Sequence, residues 1–113
     1  MKKITFKSEN PAGDGVGVLI GNGSACRRGL IVVHEWWGMT RQIQDEAALI
    51  ADQGRMTVIV CDVYRGKIAI DHEEAGHCME DLDWAGAVMD ISGAAKYLMS
   101  VGCTKVVWTH FSL

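Results

Sequence analysis

Three clusters of acid, base, aromatic and hydroxyl side chains each follow a run of apolar, β-branched residues. Residues 34–38 (HEWWG) follow 30–33 (LIVV), residues 62–66 (DVYRG) follow 56–61 (MTVIVC), and residues 110–113 (HFSL) follow 105–109 (KVVWT). Continuous apolar runs are typical of strands covered on both faces, and such strands belong to parallel sheets. Because ligands bind where the carboxyl ends of parallel strands meet, we expect the three clusters to lie at one edge of one sheet.

Metal chemistry has two candidate residue sets. Glu35 and Asp62 follow neighbouring predicted strands and could together hold Mg²⁺, which favours carboxylate oxygens. No phosphate-binding loop accompanies them, which argues against this alternative. His72 and His77 superficially resemble a zinc helix, but a spacing of five residues turns them about 140° apart on a helix. We therefore predict no metal site and no cofactor.

The elements that position these clusters alternate along the chain. Two short stretches, 4–7 and 16–20, flank a turn-rich segment and predict an antiparallel hairpin at a sheet edge. A helix begins after Thr40 and is expected to end at Gly54 in a left-handed conformation. A longer helix runs from about Asp83 to Ser100. Its predicted sheet-facing stripe is Trp84, Val88, Ile91, Ala95 and Leu98.

These elements predict an α/β fold with a doubly wound, mostly parallel sheet and an N-terminal antiparallel hairpin. The chain has 113 residues, and we find no repeat, low-complexity tract or linker in it, so we expect residues 1–113 to form a single domain. The net charge is −3 and neither sign forms a long run, which argues against nucleic acid as a partner. No apolar stretch reaches the roughly 18 residues of a membrane helix.

The order of the motifs resembles the dienelactone hydrolase family, a branch of the α/β-hydrolase superfamily. Residues 32–38 (VVHEWWG) look like the segment that carries that family's activating glutamate and one oxyanion-hole amide. Residues 62–66 are similar to its D-x-Y-x-G loop, and residues 82–95 resemble its long helix. The resemblance covers roughly residues 4–113 and rests on two blocks in family order around one helix.

The resemblance implies a set of site residues. Members cleave esters and lactones, as carboxymethylenebutenolidases do, with a nucleophile on a strand-to-helix elbow. Ser112 falls at the nucleophile position, Glu35 at the activating glutamate, and the backbone amide of Trp36 at the oxyanion hole. Tyr64 and Arg65 would bind substrate, since the planar guanidinium can receive a carboxylate. The substrate class implied is a small ester or lactone.

Two departures from the family pattern concern the nucleophile. His110 stands where the first elbow glycine belongs, and its β-carbon crowds the turn. The acid and the histidine of this superfamily follow the nucleophile in the chain, whereas only Leu113 follows Ser112 here. We therefore expect the chain to be the N-terminal part of the fold, truncated at the elbow, and to be inactive or nearly so alone.

A second hypothesis treats the chain as a non-catalytic α/β interaction module that folds or acts with a partner. A sheet that ends after its third parallel strand leaves an open edge, through which the chain could self-associate. The cysteines include no C-x-x-C pair, and the N-terminus has no apolar signal core. Both observations favour reduced thiols and a cytoplasmic location.

Overall fold

The computed structural model describes residues 1–21 and 27–110, which form one five-stranded sheet and three helices. The strands are β1 (Lys2–Phe6), β2 (Gly15–Ile20), β3 (Arg28–Val33), β4 (Thr57–Cys61) and β5 (Lys105–His110). The helices are α1 (Arg41–Gly54), α2 (His72–Glu80) and α3 (Trp84–Ser100).

The sheet confirms the predicted α/β class. Its strand order is β1-β2-β4-β3-β5. β1 and β2 form the expected antiparallel hairpin, with β1 at one edge, and β2 continues antiparallel to β4. β3 lies between β4 and β5 and is parallel to both. The three parallel strands therefore end at the same edge of the sheet, as the motif argument requires.

The two faces of the sheet bury separate apolar cores. Alternate residues of β4 point in opposite directions, so that Val58 and Val60 pack toward α1 while Ile59 and Cys61 pack toward α3. The Thr40 hydroxyl caps α1 by accepting a hydrogen bond from the Ile43 amide. The prediction for the other end of α1 was wrong. Gly54 stays helical, and the exposed residue Arg55 adopts the left-handed conformation at φ 51°.

The predicted sheet-facing stripe of α3 was also wrong at two of its five residues, Trp84 and Val88, whereas Leu98 is buried and Ile91 and Ala95 pack against the core. Trp84 and Val88 are 61% and 63% exposed, whereas the buried face contains Gly86, Ala87, Asp90, Gly93, Ala94 and Leu98. Small residues let the helix approach the sheet closely. A β-carbon at position 93 would overlap the Lys7 carbonyl oxygen. Apolar periodicity predicted a different face because the residues that pack against the sheet are small and include the charged Asp90.

β5 occupies the outer edge of the described sheet and is more exposed than its sequence predicts. Val107 and Trp108 are 51% and 58% exposed, although their run of apolar residues is typical of a covered strand. β3 pairs with one side of β5, and no strand in residues 1–21 or 27–110 pairs with the other. Val107 and Trp108 therefore lie at the surface of the described chain, whereas Val106 packs against the core.

The nine-residue helix α2 was missed because its residues are mostly polar and a glycine interrupts them. Its start carries a capping signal, since the Asp71 carboxylate accepts a hydrogen bond from the Glu74 amide at 2.8 Å. Glu73 and Glu74 add negative charge to the first turn, where the helix dipole favours it. None of the described helices has the length and apolar composition needed to cross a bilayer.

Candidate active site

The parallel register brings the first two motifs side by side. Val33 pairs with Cys61, so His34 and Asp62 are the next residues on neighbouring strands. On the other side of β3, Val33 pairs with His110. The carboxyl ends of β3, β4 and β5 therefore converge as predicted, with His34 between the other two.

His34 links the two loops as a neutral imidazole. The ring is buried, and its Nδ1 lies 2.7 Å from the Glu35 carbonyl oxygen, which can only accept. Its Nε2 accepts a hydrogen bond from the Val63 amide at 3.1 Å and therefore carries no proton. These two bonds assign the Nδ1-protonated tautomer. The Asp62 carboxylate lies 3.5 Å from Nε2, a contact that this neutral form cannot turn into an ion pair.

Asp62 organises the loop that follows β4. Its buried carboxylate accepts hydrogen bonds from the Tyr64 amide at 3.1 Å and from the Gly66 amide at 2.9 Å. Both carboxylate oxygens are thus used inside the loop. Arg65 takes the left-handed region at φ 53°, an uncommon conformation for a residue with a β-carbon. This loop has a fixed shape that places Tyr64 beside His34.

Tyr64 lies between the loop and an apolar groove. Its ring meets the His34 ring edge-on, with centroids 4.6 Å apart. The hydroxyl is buried and has no hydrogen-bond partner among residues 1–21 and 27–110. Burial raises the pKa of Tyr64 to about 12, with a further contribution from Cys78. The hydroxyl is therefore a neutral donor at physiological pH.

The apolar groove beside Tyr64 lies between α3 and β5, and we name it the α3–β5 groove. It has a volume of about 510 Å³ and is lined by Val33, His34, Val63, Tyr64, Met79, Leu82, Trp84, Ala87, Val88, Ile91, Trp108 and His110. Its walls are mostly apolar. The exposed residues of α3 that were predicted to face the sheet form one side of it.

Glu35 faces a different cavity. This second space, of about 370 Å³, is lined by Glu35 and Trp37 together with the first turn of α1. The structure therefore brings Glu35 and Tyr64 to the same edge of the sheet but into separate cavities. Trp36 follows Glu35 in a turn that the Gly38 amide closes on the Glu35 carbonyl at 3.1 Å. That bond does not use the Trp36 amide, the predicted oxyanion-hole donor.

The two adjacent indoles form an aromatic cluster with a histidine from α2. The rings of Trp36 and Trp37 lie 5.5 Å apart, and His72 packs against both, at 5.6 and 5.1 Å. The Trp36 indole nitrogen is buried without a hydrogen-bond partner in the described part of the chain. The two indoles therefore pack against each other and against α2.

Arg65 uses both terminal nitrogens within the protein. One donates to the Asp14 carbonyl at 2.8 Å. The other donates to the Gly13 carbonyl at 3.0 Å and to the Asp90 carboxylate at 2.7 Å. The structure therefore shows the guanidinium engaged by protein acceptors, and its predicted contact with a substrate carboxylate stays a prediction.

Sequence reasoning missed the parts played by His34 and Asp90. The sequence predicted no role for His34 beyond membership of the first motif, and none for Asp90 beyond its place in the long helix. Asp90 lies about 120° around the helix from the centre of the predicted apolar stripe, so apolar periodicity gave no signal that this carboxylate is buried. Asp90 is 1% exposed.

The third motif is only partly described. His110 lines the α3–β5 groove and its ring lies 6.1 Å from that of Trp108. Ser112, the predicted nucleophile, lies outside the described residues. The described thiol nearest in sequence to the second motif is Cys61, whose pKa is raised to about 12 by burial and by the charges of Asp90 and Asp62. Cys61 is therefore a protonated core residue.

Comparisons with known proteins agree with this geometry. The chain is similar to the crystal structure of a protein assigned as a dienelactone hydrolase from Klebsiella pneumoniae, with a TM-score of 0.75 and 19% identity over 98% of this chain and 50% of that one. It is also similar to a dienelactone-hydrolase-like promiscuous phosphotriesterase from metagenomic libraries, with a TM-score of 0.74 and 18% identity over 97% of this chain and 48% of that one.

The chain thus spans about half the length of both structures. A search of curated proteins returned no match. The family model for the dienelactone hydrolases matches residues 16–110, which include β2 from its second residue, β3, β4, β5 and all three described helices. The chain belongs to the dienelactone hydrolase family.

Proposed function

We propose that this chain forms one wall of the substrate pocket of a carboxylic ester hydrolase that acts on small esters or lactones. The observation that supports the proposal best is the meeting of the HEWWG and DVYRG segments at one sheet edge, beside an apolar groove. Family membership supports the reaction class, and the groove offers a place for an uncharged substrate.

Tyr64 is the residue to which we assign substrate contact. Its hydroxyl is a buried donor without a partner in the described residues, and Tyr64 is one of the residues that line the α3–β5 groove. An ester or lactone carbonyl is an acceptor that would satisfy this donor, while the apolar walls would cover the hydrocarbon part. Leaving such a donor unsatisfied in an apolar site is costly, which favours a ligand that accepts a hydrogen bond.

Glu35 and the Trp36 amide keep the roles that the resemblance implies, as proposals for a catalytic centre that includes the nucleophile. Ser112 is the nucleophile position. No acid and no histidine follow it within the 113 residues, so we expect the chain by itself not to hydrolyse esters. The expected cytoplasmic location likewise stays a prediction.

Hydrolysis by the purified 113-residue chain is the first test. We expect the rate with p-nitrophenyl acetate to match that of a Ser112→Ala variant and that of free imidazole at equal histidine concentration. A rate well above both, abolished by Ser112→Ala, would show that the 113 residues already contain a working nucleophile. That result would overturn the expected inactivity but not the assigned pocket.

Binding of an unhydrolysed lactone tests the pocket itself. Titration with δ-valerolactone should shift the indole signals of Trp84 and Trp108 in proton–nitrogen spectra, because both side chains line the groove. Tyr64→Phe should weaken binding by roughly 2–10-fold, the effect of losing one neutral hydrogen bond. The matched control is Tyr97→Phe, which removes the other tyrosine, a residue outside the groove. Equal affinity of the Tyr64 variant and the wild type would refute this assignment.

We propose an interaction module as the second candidate function, with another copy of this chain as the partner. The supporting observation is β5, whose outer edge lies at the surface of the described sheet next to the exposed Val107 and Trp108. An edge strand presents a row of backbone donors and acceptors that a second β5 could pair.

A further inference from the structure

A buried carboxylate on α3 is held by two other segments of the chain, the turn between β1 and β2 and the loop after β4. Asp90 is 1% exposed, and its oxygens accept hydrogen bonds from the Ser8 hydroxyl at 2.7 Å and from the Asn10 side chain at 3.5 Å. Its charge is compensated by the Arg65 guanidinium at 2.7 Å. Arg65 brings the only cation that the structure places against Asp90 in the described residues. The carboxylate therefore depends on Arg65 for its charge balance.

Arg65 joins this carboxylate to the hairpin. The carbonyls of Gly13 and Asp14, in the turn between β1 and β2, each accept one hydrogen bond from a terminal nitrogen of Arg65, whereas its buried Nε has no hydrogen-bond partner in the described residues. Its side chain is 24% exposed. The backbone at Arg65 lies in the left-handed region. The loop therefore holds an uncommon conformation at a residue whose side chain donates to three acceptors.

The loop that Arg65 anchors is the loop that positions Tyr64 and His34. Tyr64 precedes Arg65 directly, and its ring packs edge-on against His34. The Val63 amide donates to His34 Nε2, and His34 Nδ1 donates to the Glu35 carbonyl. A chain of direct contacts thus runs from Asp90 through Arg65 and the 62–66 loop to Glu35.

We propose that Arg65 is a positioning residue, which through its ion pair with Asp90 fixes Tyr64 and the tautomer of His34, and that it is not the ligand of a substrate carboxylate. A substrate carboxylate that captured the guanidinium would leave Asp90 buried with its charge unpaired. The substrate class follows from this assignment. The groove takes neutral esters or lactones, and a carboxylate on the substrate gains nothing from Arg65. This part of the inference rests on the proposed function.

The tautomer of His34 is the first readout, and it needs no ligand. In protein with isotope-labelled histidine, proton–nitrogen correlation spectra identify which ring nitrogen carries the proton. We expect the wild type to show the Nδ1-protonated form of His34. In Arg65→Lys and Asp90→Asn, measured well below their melting temperatures, we expect the signal of Nε2 to shift and the Val63 amide to lose its protection from exchange.

Arg41→Lys is the matched control, because Arg41 forms an ion pair with Asp45 on the surface of α1, with side chains 80% and 58% exposed. This variant should leave the His34 and Val63 signals unchanged. If Arg65→Lys and Asp90→Asn lower the melting temperature but leave both signals in place, the ion pair only stabilises the fold, and the positioning role is refuted.

Ligand charge is the second readout. δ-Valerolactone and a lactone of the same ring size that carries a carboxylate should lose affinity by the same factor in Arg65→Lys. Selective loss of the carboxylate-bearing lactone would make Arg65 a substrate ligand and overturn the proposal. If neither lactone binds the wild type, the proposed function fails, while the His34 readout still decides the positioning role.

Discussion

At the scale of single residues, the site is defined by buried polar groups whose hydrogen bonds leave little freedom. His34 has one nitrogen against a carbonyl and the other against an amide, so its neutral tautomer is fixed by backbone atoms. Both carboxylate oxygens of Asp62 accept hydrogen bonds from amides of its own loop. Tyr64 differs, because its buried hydroxyl has no partner in the described part of the chain. A donor of this kind is where a ligand gains most.

The ionisation of Tyr64 gives a prediction at this scale. Burial raises its pKa from 10 to about 12, so the folded state favours the neutral phenol. The sign follows from linkage. Tyr64 leaves the free energy of unfolding unchanged below about pH 10 and lowers it as the pH rises toward 12, because the unfolded chain loses the proton first. The pKa of the Cys61 thiol is raised from 9 to about 12, so Cys61 also lowers the free energy of unfolding as the pH rises through this range.

The measurement uses Tyr97→Phe, in which Tyr64 is the remaining tyrosine. We expect its ultraviolet tyrosinate absorbance to appear near pH 12 in the folded protein and near pH 10 in denaturant. Titration of the folded protein near pH 10, with circular dichroism unchanged, would show that the hydroxyl is in contact with water.

At the scale of elements, the sequence predicts the strands and their pairing better than it predicts which face of a helix is buried. The apolar, β-branched runs identified β3 and β4 and their parallel pairing, because such runs need cover on both sides. The stripe of α3 was misplaced because apolar periodicity ranks Trp84 and Val88 above a face of Gly86, Gly93 and Asp90. That face packs because its residues are small and because Asp90 is compensated. The hydrogen-bond partners of Asp90 are distant in sequence: Arg65 is 25 residues away and Ser8 is 82 residues away.

The same limit applies to the candidate site. Motif spacing placed His34 through Gly38 next to Asp62 through Gly66, since the ends of adjacent parallel strands must meet. It could not show that Arg65 is engaged by the turn carbonyls of Gly13 and Asp14. Those contacts join residues 51 and 52 positions apart and depend on how the hairpin folds over the loop.

Two helical glycines give a paired prediction for the elements. At Gly93 a methyl group would overlap the Lys7 carbonyl oxygen, so Gly93→Ala must push α3 away from β1. We expect a loss of about 1–3 kcal/mol in the free energy of unfolding. At Gly76, within α2, a methyl group meets nothing within 4 Å. Gly76→Ala should therefore stabilise the protein by up to about 1 kcal/mol.

Urea unfolding followed by circular dichroism measures both variants. The comparison isolates packing, because the two substitutions make the same chemical change in a helix. Equal effects in the two variants would mean that α3 does not approach β1 as closely as the structure shows.

At the scale of the whole molecule, the sheet is asymmetric in how it treats its edges. β1 ends one side as part of a hairpin that begins with Lys2 and Lys3, and lysines on an edge strand discourage pairing with another chain. β5 ends the other side of the described sheet with Val107 and Trp108 exposed. The α3–β5 groove lies beside this edge. The proposed substrate pocket and the proposed interaction surface are therefore neighbours, and the two proposed functions make different demands on Trp108.

Trp108→Lys separates them. If a second copy pairs with β5, the 113-residue chain should sediment as a dimer at high concentration and dissociate on dilution, and Trp108→Lys should remain monomeric because the charge blocks close pairing of the edge. Leu49→Lys is the matched control, since Leu49 is also 58% exposed but lies on α1. A wild type that sediments as a monomer at every concentration would rule out the interaction module. Trp108 would then matter only as a wall of the groove, and Trp108→Lys should weaken lactone binding without changing the sedimentation coefficient.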